Sequence, residues 1–212
     1  MTPSTLPILQ NPAVAARTSV ATQKALEERA EPAGGERYLP AALYATLQLI
    51  TQALLPQDTI GTAVDVAAGI DKRLRKGTNA GWRFADLPAD GDAYKQGLII
   101  FAAMLAQTPT KRFSSMLPSA REGYLRCVAN GDVDAMAEFP LSRWLGMVKA
   151  DAVKVWLAHP STMQTIEYYG FADGATGQTD GPTEQEGWSA ITPDKALPFE
   201  QGIVVPTQEQ QQ

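Results

Sequence analysis

The chain of 212 residues has one cysteine, Cys127, and one histidine, His159. A lone thiol cannot close an internal disulfide. It cannot supply the several thiolates that structural zinc or an iron–sulfur cluster needs. Covalent haem attachment uses Cys-x-x-Cys-His, whereas Cys127 is followed by Val-Ala-Asn-Gly. The role expected of Cys127 is that of a small buried hydrophobe on a helix. Serine-nucleophile chemistry needs a base and an orienting acid. The single imidazole stands before Pro160, at a helix end, where bonding to free helix carbonyls is expected. Gly187-Trp188-Ser189-Ala190-Ile191 lacks the closing glycine of a nucleophile elbow.

Long apolar runs are missing too. The longest, residues 98–106, is too short to cross a bilayer. Residues 1–17 hold no basic start before an apolar stretch and no twin arginine. A cytoplasmic chain is therefore expected, or a periplasmic one if a partner carries the export signal. Cations are outnumbered: Lys plus Arg is 18 against 23 Asp plus Glu, a net charge of -5. Phosphate binding needs a cationic surplus, so nucleic acid is a poor partner. The densest basic run is Lys72-Arg73-Leu74-Arg75-Lys76. It is expected at the solvated C-terminal end of a helix, where the dipole favours cations. The glycines between Gly170 and Gly181 have neither dinucleotide nor P-loop spacing. Asp173 and Asp180 lack the alternating acids of a calcium loop.

What is present is apolar residues at helical spacing, in a chain 44% hydrophobic. A weak helix is expected over 18–30, broken by Glu31-Pro32-Ala33-Gly34-Gly35. Leu43, Leu47, Ile50 and Leu54 form one stripe of a helix over 40–55. Ala63, Val66, Ala67, Ile70 and Leu74 form the inner face of another over 62–75. Asp90 is expected to cap a helix over 91–107 that is apolar nearly all round. A short turn over 112–117 would insert Phe113. Ser119-Ala120-Arg121-Glu122 has the form of a capping box opening a helix to Asn130-Gly131. Residues 141–158 carry Leu141, Trp144, Leu145, Val148, Ala152, Val155 and Trp156 on one side. A second box, Ser161 to Gln164, opens a short helix. Asp65, Asp71 and Asp151 are read as facing water.

The fold class expected is all-α: an irregular bundle of about five to seven helices. Residues 1–36 form an N-terminal arm, 37–170 the helical domain, and 171–212 an extended Gly/Pro-rich tail with disordered last residues. Trp188, Ile191, Leu197, Phe199, Ile203, Val204 and Val205 lie in that tail and need a surface to cover. Trp144 and Trp156 belong to the core stripe. Trp82, in Gly81-Trp82-Arg83-Phe84, either plugs its loop onto the core or meets a partner. Trp82 and Trp188 are the expected contact anchors, because tryptophan buries much area with few torsions to freeze. Arg83, Phe171 and Phe199 complete the set of candidate partner-binding residues. No catalytic, cofactor or metal residue is assigned.

Four stretches resemble a known family. They are Leu54-Leu55-Pro56-Gln57-Asp58 with the helix before it, and Gly81-Trp82-Arg83 with Leu87-Pro88 and Ala93-Tyr94. The others are Arg112-Phe113 with the helix after it, and Ala158-His159-Pro160 with Tyr169-Gly170-Phe171-Ala172. On these the chain resembles subunit 3, the small or gamma subunit, of gluconate 2-dehydrogenase complexes. The resemblance implies a non-catalytic companion of a large FAD-binding flavoprotein of the glucose-methanol-choline family. That partner oxidises a sugar, a sugar acid or a glycoside, and a cytochrome often takes the electrons onward. FAD would sit in the partner and no cofactor in this chain. Family members often begin with a twin-arginine signal, which residues 1–17 do not show. Two other readings stand beside it: a stand-alone helical adaptor, and an independent small enzyme.

Overall fold

Proline and capping residues divide the chain, and helices fill the intervals. The computed structural model describes residues 6–10, 12–15, 18–31, 35–57, 63–78, 84–108 and 112–168. Three helices precede the bundle: α1 (Pro7–Gln10), α2 (Pro12–Ala15) and α3 (Val20–Ala30). Then come α4 (Ala41–Leu54), α5 (Val66–Arg75), α6 (Asp90–Ala106) and a 3-10 turn at Phe113–Ser115. The rest are α7 (Pro118–Asn130), α8 (Asp134–Ala137), α9 (Leu141–Ala158) and α10 (Pro160–Thr165). No strand occurs among the described residues. The all-α reading holds, and α3, α4, α5, α6, α7 and α9 are the longer helices.

The core gathers on α9. Trp144, Val148 and Ala152 are fully buried there, against Tyr94, Leu98 and Phe101 of α6 and Leu47 and Ile50 of α4. Phe101 meets Phe113 and Tyr124 edge-on, each at 5.2 Å between ring centroids, and Trp144 at 5.9 Å. Edge-on pairs set the positive rim of one ring against the negative face of the other. The 3-10 turn inserts Phe113 as its sequence predicts. Arg121 pins that turn by donating to the Phe113 carbonyl at 3.0 Å and the Ser114 carbonyl at 2.9 Å. Antiparallel contact between α6 and α9 is very close. A Cβ on Gly97 would run into the Trp144 indole, so only hydrogen fits. Gly131 ends α7 at φ 83°, the left-handed conformation expected of it.

Several local expectations are corrected. Asp90 does not cap α6; Ala89 stands at that position, and Asp90 lies in the first turn, turned inward to Arg73. Ser119 does not cap α7, because Pro118 already occupies the first turn and Leu117 the cap position. The helix α6 is apolar nearly all round as read from the sequence, and its outer side is open, with Ile99 56% exposed. Within the N-terminal arm the helix expected over 18–30 forms as α3, and α1 and α3 bury Ile8, Leu9 and Leu26. Their covering surface comes from Met163 of α10, far along the chain, which no local pattern reveals. The tail, 171–212, lies outside the described residues.

Candidate functional site

The most developed polar cluster joins α5, α6 and α9. Arg73 donates from Nη1 to Asp90 at 2.7 Å and from Nη2 to Asp151 at 2.5 Å. The same Nη1 donates to the Thr78 carbonyl at 2.9 Å. Tyr94 donates its hydroxyl to Asp151 at 2.8 Å. The Asp151 and Asp90 side chains are 5% and 7% exposed, so their charges need this partner. Burial by itself would lower the Arg73 pKa. The Asp90 hydrogen bond and the Asp151 charge outweigh it and hold the group above its ordinary value. Burial, then the Asp151 charge, push the Tyr94 phenol well above its ordinary range. The cluster thus holds a fixed cation, two committed carboxylates and a neutral phenol. Its chemistry is cross-linking of helices.

These positions overturn three sequence readings. Arg73 is not part of a solvated helix end; its side chain is 19% exposed. Asp71 and Asp151 do not face water, being 3% and 4% exposed. Asp71 accepts from the Tyr38 and Leu39 amides at 3.1 and 2.9 Å, tying the entry to α4 onto α5. Asp65 is exposed as expected, and caps α5 by accepting from the Ala68 amide at 3.0 Å. Helical spacing placed Asp71 and Asp151 on their helices but not the neighbours behind them.

An open groove of about 740 Å3 lies between the end of α4, residues 63–66 and the start of α7. A side-chain clamp braces it. Gln57 donates to the Val64 carbonyl at 2.9 Å and accepts from the Val64 amide at 2.7 Å. Its three charged lining residues are committed: Asp65 to the α5 cap, Arg121 to the 3-10 turn, Glu122 to Arg126 at 2.8 Å. Leu117, beside the lining residue Pro118, is 73% exposed. Such a surface offers hydrogen bonds and apolar area but no free acid–base pair.

His159 joins α9 to α10. It does not bond helix carbonyls as expected. Its Nδ1 accepts from the Ser161 amide at 3.2 Å, which makes it the cap of α10, because the chain turns at once into a new helix. Burial lowers its pKa below the ordinary 6.5. Cys127 is not a buried hydrophobe; it lies on the exposed side of α7. One turn earlier, burial pushes the Tyr124 phenol up to about 12, with Cys127 adding to the shift. Among the described residues no three His, Cys, Asp or Glu side chains come together as a metal set. No helix among them is long and apolar enough to cross a membrane.

The candidate contact residues Trp82, Arg83, Phe171, Trp188 and Phe199 all lie outside the described residues. Phe84, next to two of them, is half-buried against the core. Arg143 of α9 lies 5.7 Å above its ring and pairs with Asp86.

The family model described as Gluconate 2-dehydrogenase subunit 3 matches residues 41–174. The chain belongs to this family. No curated protein and no solved structure matches it. The subunit 3 match runs from the start of α4 through α10 and leaves α1–α3 ahead of it. It therefore takes in the Arg73 cluster, the groove and the His159 junction. The family is that of one subunit in a multi-subunit gluconate dehydrogenase, which implies partner chains.

Proposed function

We propose that this chain is the non-catalytic small subunit of an FAD-dependent sugar, sugar-acid or glycoside dehydrogenase. The observation that carries this is the subunit 3 match over residues 41–174. The partner is a large flavoprotein of the glucose-methanol-choline family, and FAD belongs to that partner. A cytochrome is the proposed onward electron acceptor. The committed state of the Arg73 cluster supports a scaffolding role, since each of its charged side chains is already bonded within the cluster. The exposed Ile99, Leu117 and Met136 supply apolar area for a partner. Burying such area contributes about 25 cal/mol per Å2. Trp82, Arg83, Phe171, Trp188 and Phe199 are proposed as further contacts. The compartment follows the flavoprotein: cytoplasmic without an export signal on it, periplasmic with one.

The experiment is expression of the flavoprotein with and without this chain. The expected result is a higher soluble yield, flavin content and dehydrogenase activity in the joint expression, with both chains eluting together. Equal yield, flavin content and activity in the two cases would end the proposal. A partner captured without flavin would favour the adaptor reading instead.

A further inference from the structure

The N-terminal helices and the last described helix share a small core of their own. Ile8, Leu9, Val14 and Leu26 bury with Met163 of α10, apart from the main core of the bundle. Helices as short as α1, α2 and α10 do not persist alone in water, because nucleation costs more than a few hydrogen bonds return. Each side of this small core therefore depends on the other. One side chain of α5 ties the segment to the bundle, Lys72 donating to the Glu28 carbonyl at 2.7 Å, while Arg75 donates to the Glu36 carbonyl, beyond the segment, at 2.9 Å. Both bonds are exposed, where water competes for each group. The Thr162 hydroxyl of α10 is buried without a hydrogen-bond partner among the described residues, which lowers the cost of opening. The family match begins at residue 41 and includes α10. A segment ahead of the matched region thus holds a helix inside it.

We propose that α1, α2 and α3 are a strap over α10, and that strap and helix open together as one unit while the α4–α9 bundle stays closed. Local opening in contiguous units is general, and units with little buried apolar area open first.

The test is amide hydrogen exchange on the full chain, comparing wild type with Leu26→Ala and Met163→Ala. Leu26→Ala is expected to speed exchange in α10 at least about tenfold, although the change lies in α3. Met163→Ala is expected to do the same to α3. Amides of α4 and of α9 around Trp144 are expected to keep their wild-type rates. Unchanged α10 exchange in Leu26→Ala would overturn the proposal. So would equal acceleration in α4 and α9, or a Leu26→Ala chain that loses its helical signal as a whole, since losing a strap leaves the bundle folded.

Discussion

Arg73 and Asp151 stand 78 positions apart and meet at 2.5 Å, linking the last turn of α5 to the inner face of α9. The pair is not isolated. Asp90 takes the other arm of the same guanidinium, and Tyr94 takes the same oxygen of Asp151. Three helices are therefore fixed through one cation. Two carboxylates against one guanidinium leave a surplus negative charge, which the Tyr94 hydroxyl moderates by hydrogen bonding.

Removing Asp151 should be costly. Asp151→Ala leaves Arg73 half-satisfied and the buried Tyr94 hydroxyl without its acceptor. A loss of about 3 kcal/mol in urea unfolding is expected, as for other broken buried pairs. Tyr94→Phe removes only one neutral donor and should cost about 1 kcal/mol. An Asp151→Ala loss no larger than that of Tyr94→Phe would show that the ion pair does not tie the helices.

Two helical glycines should respond in opposite directions. Gly97→Ala sets a methyl against the Trp144 indole in a filled core. Overpacking of this kind costs about 1–3 kcal/mol, more than alanine's helix propensity returns. Gly123→Ala on α7 meets open space and should gain up to about 1 kcal/mol. Thermal unfolding of the two variants decides it; a stabilised Gly97→Ala chain would contradict the packing described.

Acid should loosen α10 through His159. Its folded pKa lies below the unfolded 6.5 because of burial, so below that value the unfolded chain binds more protons. Stability from the neutral ring is complete above 6.5 and is lost as pH falls through the folded value. Protonation also puts a hydrogen on Nδ1, where the Ser161 amide now donates. His159→Asn keeps a capping acceptor that does not titrate. Between about pH 7 and about pH 5, α10 amide protection should fall in the wild type and stay nearly level in the variant. Parallel declines would place the titration elsewhere.

Cys127 should react as an exposed thiol. It is the single cysteine, so native protein should take up one equivalent of a maleimide without unfolding. Uptake that begins only in denaturant would show α7 turned the other way. Repeating the reaction on the assembled dehydrogenase reports whether a partner covers this face.

Much of the bundle was legible because helical periodicity is a local signal. The stripe of α9 appears in the sequence with the same bounds as in the fold, and Trp144 lies where its spacing puts it. Phe113 and the Gly131 stop were equally readable, one from a lone aromatic between helices, the other from its need for positive φ. The caps of α6 and α7 were misread because a capping motif is also any Asp or Ser near a helix start. The packing of the preceding loop chooses among them. The family likeness was carried by short motifs inside the matched span, whereas the candidate contacts fall on residues the structure does not describe.

By itself the sequence determined the helical class, the helix that forms the centre, and the lack of enough thiol or imidazole for most metal and haem sites. These follow from composition and from spacing along one segment. Only the tertiary structure decided which charges go inside. Arg73, Asp71 and Asp151 look like any helix-surface ions until α5 lies against α9 and the entry to α4. It also decided that the first helices close over α10. Burial of a charge, or of a short helix, depends on what a distant segment brings to it, and that distance in sequence carries no periodic trace.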